Sequence, residues 1–248
     1  MIDTLNQWTG GQAPIAIAVI TMFVTYALAL AIRNSRRARE SASWGPRIGK
    51  YVGIIAQGWL LTGAVFVVIW CLVLRDGSYT FAQAVDFMGL HGRLPPTDVG
   101  VWSAAMLAAA TLASAAVTYL RGAFGGAPTA AGLDILPETP IETAVFSLLV
   151  SPTGGIGEEI VYRGFLLGQL WGLTDNAWLA ALLSSAVFGA MHAYQGWWGV
   201  LRTGLIGFIF AVGLIVTGSL IPSIIAHTLA NMLGVVFRKP VAAQPATP

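Results

Sequence analysis

The chain has 248 residues, of which 56% are hydrophobic and 10% charged, and its mean hydropathy is +0.74. A soluble domain carries about 25% charged residues, so these values exclude one and describe a polytopic membrane protein. The net charge of +2 comes mostly from one basic loop, which speaks for membrane orientation and against a nucleic-acid partner.

At roughly 20 residues per crossing, this length supplies about seven transmembrane helices, within a range of six to eight. The expected fold is therefore an all-α membrane bundle, forming a single integral membrane domain over residues 1–248. A polar leader precedes the first apolar segment at 14–32, which ends in arginines and has no small-residue cleavage site, unlike a signal peptide. The next crossings are expected at 51–74 and 101–120. The fourth region is irregular: 141–150 is apolar, Ser151, Pro152, Thr153, Gly154 and Gly155 interrupt it, and helical character resumes over 156–173. The composition predicts a kinked or broken helix, which at membrane depth requires surrounding protein or a water-filled cavity. Further crossings follow at 178–192, 200–216 and 220–237, and the Pro/Ala-rich tail at 240–248 is expected to be disordered. The lone cysteine, Cys71, can form no intrachain disulfide.

Arg33, Arg36, Arg37, Arg39, Arg47 and Lys50 all lie between the first two crossings, so the positive-inside rule makes that loop cytoplasmic. The 75–98 loop, with three aspartates against two arginines, suits the outer side, and seven crossings return Arg238 and Lys239 to the cytoplasm. The 121–140 loop fits less well, having one arginine against Asp134 and Glu138. This topology brings Glu158, His192 and His227 to a similar depth on the cytoplasmic side.

Ionisable residues inside a membrane are costly and are read first as functional. Glu158 and Glu159 stand side by side with Arg163 after them, and His192 and His227 follow in later apolar segments. Glu159 precedes Arg163 by four residues, the favourable order for a helical ion pair, so Glu159 is expected to be neutralised locally. Glu158 points about 100° away around the helix, has no partner four residues on, and is free to act as a base. Phe188 and His192 lie one turn apart, as do His227 and Asn231. His227 and Asn231 can together donate to a developing oxyanion, and His192 can orient a water beside Glu158.

The stretches Glu158-Glu159-Ile-Val-Tyr-Arg163, Phe188-Gly-Ala-Met-His192 and His227-Thr-Leu-Ala-Asn231 resemble, in order and spacing, the three motifs of the CPBP family of intramembrane glutamic endopeptidases. That family includes type II CAAX prenyl proteases and bacteriocin-processing or immunity proteins. The resemblance covers about 141–237, the motif-bearing core. It implies that Glu158 activates a water for peptide-bond attack with help from His192, and that His227 and Asn231 stabilise the tetrahedral intermediate. Glu159 and Arg163 would shape and hold the site. It further implies a helical bundle around a conical, cytoplasm-facing cavity, in an integral protein of a bacterial inner membrane. The expected partners are membrane lipid and a protein or peptide substrate that is membrane-anchored or membrane-proximal, lipid-anchored species included. No cofactor and no metal are expected, and no oligomeric state follows.

Each residue also has a structural reading. Glu159 and Arg163 read equally well as a buried ion pair, the histidines and Asn231 as interhelical hydrogen-bond formers, and Phe188 as packing alone. Arg202, at the start of a helix, is expected to snorkel to the interface, and Gly154, Gly155, Gly157 and Gly164 to allow close helix approach. Three other functions compete: a zinc-dependent membrane hydrolase, although HExxH is missing from the chain, a proton-coupled transporter, and a non-proteolytic immunity or scaffold protein. A transporter predicts paired broken helices in two halves, and only one interrupted segment is visible in the sequence.

Overall fold

The computed structural model describes residues 47–70, 80–90, 94–126 and 135–237. The expected first crossing at 14–32, most of the basic loop, Cys71 and the 240–248 tail lie outside these residues.

The regular elements among the described residues are helices: α1 (Arg47–Ile69), a short α2 (Phe81–Phe87), α3 (Pro96–Ala123), α4 (Pro140–Thr174), α5 (Ala177–Met191), α6 (Trp197–Thr217) and α7 (Ile221–Val236). Local chemistry sets their ends. Pro96 opens α3 with Asp98 in the first turn and Arg121 in the last, the arrangement the helix dipole favours. Thr139 and Glu142 form a reciprocal capping box at the start of α4, with Pro140 in its first turn. Asn176 Oδ1 caps α5 by accepting from the amides of Trp178 and Leu179, each at 3.0 Å. Asp175 at φ 51° and Gly218 at φ 66° end α4 and α6 in the left-handed conformation that helix termini use.

Four of these helices, α1, α3, α4 and α6, are long and apolar enough to cross a membrane. The apolar α5 and α7 have 15 and 16 residues, about 22–24 Å at 1.5 Å per residue, which is shorter than a hydrocarbon core of about 30 Å. The described residues form an all-helical integral membrane bundle, and α4 is its central member: 56% of its most apolar stretch is buried, against 17% for α1 and α3. The main core joins α4 residues Ile160, Val161, Phe165 and Leu166 to Val65 of α1 and Met88 after α2. A hydrogen bond from the Leu220 amide to the Gly89 carbonyl, 2.7 Å long, ties the α2 end to the α6–α7 corner.

Of the kinked or broken helix expected at Ser151–Gly155, the break is absent. Helix α4 runs continuously through this segment, and the irregularity takes the form of widened π turns at Phe146–Val150 and Glu159–Leu167. The Ser151 amide reaches back five residues to the Phe146 carbonyl. A proline removes an amide and crowds the carbonyl four residues earlier, and a widened preceding turn absorbs Pro152 without ending the helix. The glycines serve helix approach, as expected. Gly157 faces Thr62 of α1, whereas Gly154 and Gly155 face Asn231 and Thr228 of α7.

Gly155→Ala is expected to lower stability by about 1–3 kcal/mol. A Cβ at this position would lie 2.8 Å from the Thr228 backbone nitrogen and 3.0 Å from its Cα, so α7 would have to move. Gly53→Ala, where a Cβ meets nothing within 4 Å, is the control. Thermal unfolding of both variants in detergent reads the difference.

Candidate active site

The antiparallel crossing of α4 and α7 builds the site. Asn231 packs against Gly154, Thr228 against Gly155, and His227 against Glu158 and Glu159. One turn of α7 thus pairs with one turn of α4, with the acids at one end and Asn231 at the other.

The two adjacent glutamates have opposite surroundings. Glu159 is fully buried, and its Oε1 accepts from Arg163 Nη1 at 2.9 Å and from His227 Nδ1 at 2.8 Å. The Glu158 side chain is 36% exposed, and its Oε2 stands 3.7 Å from His227 Nε2. His227 therefore bridges the acids, one ring nitrogen on each. Sequence spacing indicated the Glu159–Arg163 pair, but nothing in it pointed to His227 as the second partner of Glu159, a contact across 68 residues.

Arg163 is itself buried, and it is enclosed by aromatic faces. Its guanidinium carbon lies 4.2 Å from the centroid of Phe188 and 5.7 Å from that of Phe210. A desolvated cation over an aromatic ring is stabilised by about 2 kcal/mol, so Phe188 does more than fill space. Gly207 leaves room for this arrangement, since a Cβ there would come within 2.8 Å of Arg163 Nη2 and 2.9 Å of Phe188 Cδ1.

Phe188 also links the two histidines. Its ring is edge-on to His192, with centroids 4.8 Å apart, and to His227 at 6.1 Å. His192 Nδ1 lies 2.9 Å from the Phe188 carbonyl. A carbonyl only accepts, so Nδ1 carries the proton and the neutral ring keeps its lone pair on Nε2. By the same logic His227 donates from Nδ1 to the Glu159 carboxylate. Glu158, Glu159, Arg163, His192 and His227 thus gather around the Phe188 ring and the α4–α7 contact. Asn231 joins them through Gly154, one turn before Glu158. Phe188 therefore does more than the packing expected of it. The signal available for more was its place one turn before His192, which turns its ring and its carbonyl toward the same imidazole.

Arg202, at the start of α6, has a side-chain partner, since its Nη2 donates to Gln195 Oε1 at 2.6 Å. Among the described residues no group of three or more His, Cys, Asp or Glu side chains is arranged to hold a metal ion.

Residues 140–233 match the family model described as type II CAAX prenyl endopeptidase Rce1-like, and all six residues singled out above fall within that range. A candidate membrane peptidase of Bacillus subtilis (strain 168), YdiL, is 33% identical over 110 residues, which cover 44% of this chain and 42% of that protein. An uncharacterized 24.3 kDa protein of Escherichia coli is 29% identical over 119 residues, covering 41% of this chain and 53% of its own length. The matches thus span about half the length of these relatives. No solved structure gives a significant match. Residues 140–233, which carry the glutamate pair, the arginine and both histidines of the site, are thus similar to the Rce1-like type II CAAX prenyl endopeptidases.

Proposed function

We propose that the protein is an intramembrane endopeptidase of the glutamic type, in which a water activated by Glu158 attacks a peptide bond of a membrane-anchored or membrane-proximal protein. The observation that carries this reading is the contrast between the two acids. Glu159 is sealed against Arg163 and His227, while Glu158, one residue earlier, keeps an open face 3.7 Å from His227 Nε2.

The hydrogen-bonding groups of the site support the following roles. Glu158 is the partly exposed acceptor that takes the proton of the attacking water. His192, with its proton held on Nδ1 by the Phe188 carbonyl, offers Nε2 as a second acceptor that orients the same water. His227 donates from Nδ1 to Glu159. When doubly protonated it presents an Nε2–H between Glu158 and the substrate, suited to an oxyanion, and Asn231 adds a carboxamide donor from the next turn of α7. The charges of Glu158, Glu159, Arg163 and protonated His227 then cancel, which suits a site inside a membrane. Water attack forms the tetrahedral intermediate, and Glu158 returns its proton to the leaving amine. Glu159 and Arg163 act by positioning, since a carboxylate on one imidazole nitrogen fixes what the other can do.

The active site is read as facing the cytoplasm of a bacterial inner membrane, on the strength of the basic residues ahead of α1. Substrates with lipid anchors and those without are both compatible with the site. The test is a comparison of membrane proteomes from cells carrying the wild type and Glu158→Ala. One species is expected to change its terminus, and identical termini throughout would contradict the proposal. With that substrate in hand, chelator treatment is expected to leave cleavage unchanged. Loss of cleavage restored by added zinc would instead establish the zinc hydrolase.

A further inference from the structure

His192 stands at a vulnerable place. It ends α5 with φ −94° and ψ 16°, and a single 3-10 turn, Ala193–Gln195, separates it from Gly196 and the start of α6. Gly196 has φ 76° and ψ 177°, a conformation open almost only to glycine. Two backbone hydrogen bonds close the turn, from Gln195 to the His192 carbonyl at 2.8 Å and from Gly196 to that of Ala193 at 3.0 Å. Helix ends fray, yet the proposed role of His192 needs a fixed ring.

Side chains supply a second hold. Arg202 of α6 donates from Nη2 to Gln195 Oε1 at 2.6 Å, and Gln195 donates from Nε2 to the Tyr194 hydroxyl at 3.0 Å. The Tyr194 ring lies 5.9 Å from the His192 imidazole, with planes 33° apart. Gly199 permits this chain of contacts. A Cβ there would collide with the Gln195 side chain, so Gln195 lies across the first turn of α6, where Arg202 reaches it three residues on. The imidazole is thus held from two sides, by the Phe188 carbonyl of its own helix and by Tyr194.

We propose that Arg202 and Gln195 are positioning residues for His192, acting through Tyr194 to fix the orientation and tautomer of its imidazole. The catalytic weight of this device rests on the reading of His192 in the proposed function, but the device itself can be tested without catalysis. A planar guanidinium suits it better than a lysine, because the fork holds Gln195 Oε1 in one direction.

The experiment uses the full chain with ¹⁵N-labelled histidine in nanodiscs. Long-range ¹H–¹⁵N ring spectra report the tautomer of each of the three histidines, assigned by single His→Gln substitutions. In the wild type, His192 is expected to show the Nδ1–H form alone. Arg202→Ala and Gln195→Ala should each give mixed tautomers at His192 and leave His227 unchanged. Tyr194→Phe keeps the ring, removes the hydroxyl that Gln195 holds, and should give the same mixture with the least disturbance. On a substrate identified by the terminus comparison, the three variants should lose about ten- to a hundredfold in kcat with KM little changed. Wild-type ring patterns at His192 in all three variants would overturn the inference, as would equal changes at His192 and His227, which signify a disturbed bundle. Altered His192 tautomers in a chain that cleaves nothing would uphold the positioning device and refute the peptidase reading.

Discussion

Glu158→Gln is expected to reduce cleavage by at least about 10²–10⁴-fold, the usual contribution of a positioned general base, while the protein unfolds at nearly the wild-type temperature. The substitution is isosteric and removes only the charge and the ability to take a proton. Stability should survive because Glu158 is 36% exposed and its ionic contact, His227 Nε2, is 3.7 Å away. A pair at that distance, with the carboxylate partly in solvent, contributes at most about 1 kcal/mol. Paired measurements of product formation and thermal unfolding in detergent check both halves of the prediction. Cleavage by Glu158→Gln at the wild-type rate would place the base elsewhere.

The neighbouring substitution should behave in the opposite way. Glu159→Gln leaves Arg163 as a charge with no exposed surface and with its hydrogen-bonding carboxylate gone. Removing one partner of a buried pair costs about 3–5 kcal/mol, so Glu159→Gln should unfold well below Glu158→Gln and lose activity with its fold. Arg163→Met strands Glu159 by the same logic and should be equally damaging. Replacing both partners, with Glu159→Leu and Arg163→Met together, should recover part of the stability and none of the activity, since His227 Nδ1 then has no carboxylate to hold it. Equal unfolding temperatures for Glu158→Gln and Glu159→Gln would show that the pair does not hold the site together.

Much of the bundle was legible in hydropathy. The segments expected at 101–120, 178–192, 200–216 and 220–237 correspond to Pro96–Ala123, Ala177–Met191, Trp197–Thr217 and Ile221–Val236. Apolar runs bounded by proline, asparagine and glycine leave little choice at membrane depth, where every backbone amide must be satisfied locally. The continuity of α4 was not legible. Pro152 with two glycines after it reads as a break in any local analysis, and whether a widened turn absorbs it depends on the helices packed around it. The Glu159–Arg163 contact was legible because it is local, four residues apart on one helix. The contact from His227 to Glu159 depends on the register of α7 against α4, which Gly154 and Gly155 set by allowing Asn231 and Thr228 to come close. Such a register has no local signature. The place of Phe188 between Arg163 and both imidazoles was hidden for the same reason, whereas the hold of Arg202 on Gln195, seven residues away, depends on the turn at Gly196.

In the proposed reaction Glu158 turns a water into the attacking group without forming a bond to the substrate itself. A single-turnover reaction in ¹⁸O-labelled water, followed by mass spectrometry of both product and enzyme, tests it most directly. One labelled oxygen is expected in the new carboxyl terminus and none in the Glu158 side chain. Label in Glu158 would reveal an anhydride between that carboxylate and the substrate, and would contradict direct attack by water.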